Sequence, residues 1–126
     1  MMAGQAPTGY TMPADWEPHE GTWLQWPGDK VGLGYQMKQE HTWLKLVAAL
    51  HQHEMVHIIT NDERQRDHVA YQLHYFGIDQ ARVDLHIVPI NDLWIRDNGP
   101  IFVTNEQIEL AVTNWIFNGW GDRFEY

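Results

Sequence analysis

The sequence predicts a single α/β domain, and three observations carry that reading. Short β-rich runs alternate with helical patterns along most of the chain. One of those runs, MVHIIT, has the Val/Ile content of a strand buried in a sheet, and another, VDLHIV, alternates in part as a strand does. A hairpin pattern then closes the order β-α-β-α-β-β-β, which is the order of a sheet layered with helices.

Residues 1–12 read as a flexible lead-in, and 13–20, PADWEPHE, as an extended loop fixed by two prolines. Thr22–Trp26, TWLQW, is a strand stopped by Pro27-Gly28. A helix is expected over about 36–53, with Trp43, Leu46, Val47 and Leu50 on one face. Met55–Thr60 is the next strand. Asn61 is placed to cap a second helix, whose apolar face holds Val69, Leu73 and Phe76 and which Gly77 ends. Val83–Val88 is a third strand. Ile101–Thr104 and Gln107–Thr113 flank a turn at Asn105-Glu106, with Ile108, Leu110 and Val112 alternating along the second strand. Aromatic residues still accumulate in the final NWIFNGWGDRFEY, the pattern of a chain that is cut or that another chain completes.

With 126 residues the chain suffices for one domain with a modest core. An apolar fraction of 44% and a charged fraction of 20% describe a folded protein. Seventeen acids against eight Lys and Arg give a formal charge of −9. That balance argues against nucleic acid and anionic membrane as partners and agrees with a cationic ligand. The N-terminus shows neither a positive n-region nor an apolar h-region, and no run approaches the about 18 apolar residues of a membrane helix, so a cytoplasmic protein is expected. The chain contains no cysteine and no serine, which removes disulfides, thiolate metal sites and the two usual activated nucleophiles.

The segment LWIRDNGPIFV sets Trp94, Arg96 and Asp97 between two strands, where ligands of α/β sheets tend to bind. A carboxylate there can accept two parallel hydrogen bonds from a planar guanidinium, and a tryptophan can stack on the cation. The competing reading is an Arg–Asp pair that pins the loop, with Trp94 in the core. Trp16 and Glu17 in PADWEPHE suit the rim of a cation pocket, or a strap over apolar surface. In HQHEMVH, His51 and His53 are two apart, which suits different helix faces, and no other segment offers an obvious third ligand; solvated histidines, not a metal site, are expected. The glycines at 28, 32 and 34 match no phosphate loop.

Three segments in order, MPADWEPHEGTWLQWP, WIRDNGPIFV and NWIFNGWG, resemble the agmatine deiminase family, which includes bacterial peptidylarginine deiminases, within the guanidine-modifying superfamily. The resemblance covers about residues 10–126. It implies part of a pentein, or α/β propeller, about one and a half ββαβ modules, and the hydrolysis of agmatine to N-carbamoylputrescine and ammonia, a step of putrescine synthesis, without metal or organic cofactor. It makes Asp97 an acid that holds the guanidinium and Trp94 a wall of the substrate pocket. Arg96, Asn98 and Gly99 become supporting residues, the Asn98-Gly99-Pro100 turn aiming Asp97 inward. Trp16, Glu17 and Trp120 become further wall candidates. The family's catalytic cysteine, catalytic histidine and second acid have no counterpart in a matching motif, so the chain resembles an N-terminal portion that does not turn over by itself. A non-catalytic oligomeric module that binds a guanidinium, and a protein acting on peptidyl-arginine, are the rival expectations.

Overall fold

A computed structural model describes residues 8–28 and 33–123, with the side chains of 33–36 left out of account. The strands are β1 (Gly21–Gln25), β2 (Met55–Thr60), β3 (Val83–Ile87), β4 (Ile101–Thr104) and β5 (Leu110–Thr113). The helices are α1 (Leu33–Leu50), α2 (Glu63–Tyr75) and two four-residue turns, α3 (Ile95–Asn98) and α4 (Gly119–Asp122). The expected strand order is present. The two short turns are additions that no periodicity announces.

β1, β2 and β3 form a parallel sheet in that spatial order, and β4 pairs with β5 in an antiparallel hairpin. The register sets Trp23 beside His57 and His57 beside Asp84, and Gln25 beside Ile59 and Ile59 beside His86. Alternation along the strands therefore gives the sheet two different faces. Leu24, Val56, Ile58 and Val83 turn to the core, where they meet Leu44, Val47, Val69, Leu73 and Ile78. Trp23, Gln25, His57, Ile59, Asp84 and His86 share the opposite face.

Within α1, Val47 is buried and Trp43 and Leu50 pack against the core as expected, joined by Leu44, while Leu46 is exposed. Trp43 stays part-buried because its Nε1 donates to the Gln25 carbonyl (2.8 Å), tying the helix to β1. In α2 the cap is Asp62, not Asn61: Asp62 accepts from the Gln65 amide. Asn61 Oδ1 instead accepts from the Ile90 amide (2.6 Å), fixing the chain that leaves β3. Gly77 follows the helix at φ +71°, the left-handed conformation that glycine adopts without steric cost, whereas Phe76 is exposed.

The second hairpin strand is shorter than its alternation suggests. Asn105 Oδ1 accepts from the Gln107 and Glu109 amides, and Ile108 takes φ +62°, so the turn runs on until Leu110. Ile108, Leu110 and Val112 are all exposed, because nothing among the described residues covers that hairpin face. The lead-in is partly tied down: Thr11 exchanges two backbone hydrogen bonds with Thr104 and so extends the hairpin. Residues 1–7 lie outside the described residues.

Candidate functional site

Asp97 sits on α3, a single turn that leaves the sheet and leads into β4. Two devices position it. On the inner side Asn98 and Gln25 exchange amide hydrogen bonds, Nε2 of Gln25 to Oδ1 of Asn98 at 3.0 Å and the reverse bond at 3.4 Å. Gln25 is buried, so this pair satisfies groups that would otherwise be orphaned. At the end of the turn the Gly99 amide donates to the Ile95 carbonyl at 2.7 Å. A Cβ on Gly99 would stand 2.5 Å from that oxygen, which is why glycine occupies the position.

Successive helical residues point about 100° apart. Asn98 reaches the sheet, so Asp97 turns away from it and is exposed among the described residues. Trp120 meets it there: its Nε1 donates to Asp97 Oδ1 at 3.3 Å, across 23 residues of sequence. Trp120 is presented by an unusual backbone. Gly119, Trp120, Gly121 and Asp122 all have positive φ, which makes α4 a left-handed turn. Such a conformation costs a non-glycine residue roughly 1–2 kcal/mol and is typical of positions held for a purpose. Asn118 caps the turn by accepting from the Gly121 amide, and Phe117 packs edge-on against the Trp120 ring with centroids 5.0 Å apart. The alternation Asn-Gly-Trp-Gly is the one sequence signal of this arrangement.

Trp94 caps α3 through its carbonyl, which accepts from the Asp97 amide, and its ring is exposed. An aromatic face and a carboxylate thus stand at opposite ends of one turn. Arg96 lies 3.6 Å from Asp15; both side chains are well exposed, so the pair adds little stability. It does link the 13–20 strap to α3. Within the strap Glu17 closes a turn by accepting from the Ala14 amide, and Trp16 is 88% exposed. Neither Trp16 nor Glu17 has a hydrogen bond to Asp97 among the described residues.

His19 anchors the other end of the strap. Its Nδ1 lies 2.9 Å from the Glu17 carbonyl and its Nε2 2.5 Å from Glu54 Oε2. The Glu17 carbonyl, and then the Glu54 carboxylate, raise its pKa above the ordinary 6.5. A raised folded-state pKa gives stabilisation that is complete below 6.5 and lost as pH climbs through the raised value. A proton NMR titration of His19 should show a midpoint above 6.5 that falls in Glu54→Gln; a midpoint at or below 6.5 would remove the anchor.

A cavity of about 430 Å³ lies beneath α3, between the sheet and the hairpin. Trp23, Ile59, Val88, Ile90, Ile95 and Phe102 give it an apolar wall, and its amides, Gln25 and Asn98, already bind each other. No carboxylate lines it, so it does not suit a cation, and Asp97 and Trp94 stand outside it.

The sheet gives one residue of the HQHEMVH segment neighbours that the sequence does not suggest. His57 has partners on the neighbouring strand: His86 Nε2 lies 3.2 Å and Asp84 Oδ2 3.7 Å from His57 Nδ1. Parallel pairing brings residues that are far apart in sequence side by side, which local spacing does not reveal.

The model of the Porphyromonas-type peptidyl-arginine deiminase family matches residues 11–126. The chain belongs to that family. Among curated relatives, a candidate agmatine deiminase of Streptomyces avermitilis is 35% identical over 123 residues, covering 95% of this chain and 34% of its own length. One of Legionella pneumophila is 32% identical over 123 residues, covering 92% and 32%. The chain therefore spans about a third of the length of the curated relatives it matches. An agmatine deiminase of C. jejuni, solved as a variant with substrate bound, superposes with a TM-score of 0.75 at 22% identity, over 97% of this chain and 35% of that one. A candidate arginine deiminase of Porphyromonas gingivalis gives 0.67 at 25% identity, over 91% and 32%. The fold of this chain is thus shared with part of these deiminases. The described sheets form no closed ring.

Proposed function

We propose that the chain supplies the Asp97 part of a guanidinium site in an agmatine deiminase-like C–N hydrolase, in which Asp97 holds the substrate cation. The observation that carries this reading is the meeting of Asp97 with Trp120 across 23 residues, on a turn that also presents Trp94. A carboxylate oxygen offers two acceptor sites, so the Trp120 N–H orients Oδ1 and leaves capacity for a guanidinium N–H. Both tryptophans supply faces for a flat cation, and the acidic chain favours its approach. Arg96, Asn98 and Gly99 hold the turn, and Trp16 and Glu17 belong to a strap that the Asp15–Arg96 pair draws toward it.

In this reading the chain binds and does not turn over. It contains neither cysteine nor serine, and a thiolate nucleophile would have to come from other polypeptide. The family's putrescine-forming reaction, its propeller of ββαβ modules, its independence of cofactors and its cytoplasmic setting belong to the whole enzyme of which this chain would be about one and a half modules. The exposed apolar surface of Phe102, Leu110, Val112 and Trp115 suits further modules of the same fold, or a second copy of the chain, as the covering partner. Agmatine is favoured over peptidyl-arginine because the curated relatives carry the agmatine deiminase name.

Calorimetric titration of agmatine into the purified chain tests the proposal, with the oligomer mass measured on the same sample. Saturable binding that weakens at least tenfold in Asp97→Asn is expected. Binding unaffected by that change, or deimination of agmatine by the chain alone, would overturn it.

A further inference from the structure

On the face of the parallel sheet that also carries Trp23 and Gln25, three potential ligands converge. The side-chain donors of His57, Asp84 and His86 all lie within 4.8 Å of one another. We propose that they form a mononuclear site for a first-row divalent cation, Zn2+ or Co2+ in type, with two imidazole nitrogens and one carboxylate oxygen as protein ligands.

The distances fit. Two donors held about 2.0–2.1 Å from a tetrahedral zinc ion lie about 3.3–3.4 Å apart. His57 Nδ1 is 3.2 Å from His86 Nε2 and 3.7 Å from Asp84 Oδ2, so small side-chain movements bring the set onto one centre. The sheet holds the ligands in this relation: Asp84 is the register partner of His57, and His86 follows two residues along the same strand and face. Trp23, the register partner of His57 on the other side, lies flat against both imidazoles. Ring centroids are 4.5 Å from His57 and 4.8 Å from His86, with interplanar angles of 17° and 29°. One indole face thereby restricts the rotation of two ligand rings, an orienting role usually taken by hydrogen bonds from outside the ligand set. The Asp84 side chain is 56% exposed and that of His57 18%, so a water molecule can reach a fourth position.

The competing account is a hydrogen bond between two neutral imidazoles, in which one ring nitrogen donates to the other. That account explains the 3.2 Å contact. It gives Asp84 no part and needs no convergence of all three donors. Imidazole and carboxylate together suit zinc, cobalt, nickel and copper rather than calcium or magnesium, which take oxygen ligands.

The test uses the 126-residue chain stripped of metal. Zn2+ is titrated calorimetrically, and Co2+ is followed by its visible absorption, which is strong in tetrahedral coordination. One ion per chain is expected, with a tetrahedral Co2+ spectrum. Asp84→Asn and His86→Gln should each weaken binding at least about tenfold, as even the loss of groups that only support metal ligands commonly does. His74→Gln, which removes an exposed histidine of α2, should leave it unchanged. Asp84 is exposed and carries no core contact, so its variant decides the matter if His86→Gln does not fold. Equal affinity in the wild-type chain and Asp84→Asn, or no saturable one-to-one binding, would overturn the proposal and reduce the cluster to an imidazole hydrogen bond. Asp97→Asn should not alter Zn2+ binding, which separates this site from the guanidinium site.

Discussion

Trp26→Ala should lower the unfolding free energy by about 3–5 kcal/mol, the range for deleting a large buried aromatic side chain. Trp26 is fully buried between the end of β1 and the two long helices. Its removal acts in two ways. The ring fills the core beside Leu24, Leu44 and Val47, and the strands and helices around it cannot close over so large a void. Its Nε1 also donates to Glu40 Oε1 at 3.0 Å, and Glu40 is itself buried. The carboxylate would keep the contact with His68 Nε2 at 3.1 Å and lose the partner on its core side. Against a typical total of about 5–15 kcal/mol, the loss threatens the whole domain. Urea unfolding followed by circular dichroism measures it. Trp26→Phe keeps most of the volume and loses the hydrogen bond, so it should cost roughly 1–3 kcal/mol. A loss below about 1 kcal/mol for the alanine variant would mean that the helices do not rest on this residue.

Trp26 also shows what local pattern can and cannot reveal. TWLQW reads as a strand because its residues are β-branched and aromatic, and the strand is there. Which tryptophan is core and which is surface depends on strand parity and on the chain's exit: Trp23 faces the histidines, while Trp26 follows the strand end and is buried under α1. The same limit appears in α1, where four apolar residues fit a helical face and three of them pack while Leu46, at its edge, is exposed. Asp97 and Trp94 stand out as candidates in the sequence, but pattern alone fits a loop-pinning Arg–Asp pair equally, and it is the family motif that singles them out. Their partner Trp120 is legible only through the family motif, since a left-handed turn at Gly119–Asp122 leaves no periodic trace. The apolar alternation of β5 is present without burial. Its pattern describes a face that the described residues do not cover, and periodicity cannot say what covers it. The His57–Asp84–His86 cluster is invisible for a third reason: it depends on the pairing of two strands joined by a helix.

Gly99→Ala should open the α3 turn while the parallel sheet stays folded. A methyl group at this position meets the Ile95 carbonyl oxygen at 2.5 Å and the Ile95 side chain at 3.2 Å. The oxygen is also the acceptor of the 2.7 Å hydrogen bond from Gly99 that closes the turn, so relieving the clash breaks the bond. Overpacking of this kind costs about 1–3 kcal/mol. The strain falls outside the ten-residue buried core, which α3 does not enter. The expected response is therefore local: hydrogen exchange of the amides at 97 and 99 should accelerate severalfold, with the β2 amides still protected. The Asn98–Gln25 amide pair depends on the same turn and would loosen with it. The variant keeps the Asp97 carboxylate and the net charge of the chain, and changes only where the carboxylate points. If agmatine binding rests on the placement of Asp97 against Trp120, Gly99→Ala weakens it about as much as Asp97→Asn does. If binding rests on diffuse negative charge, Asp97→Asn reduces it slightly and Gly99→Ala leaves it intact. The pair of variants thus separates a positioned carboxylate from an acidic surface, a distinction that neither substitution makes by itself.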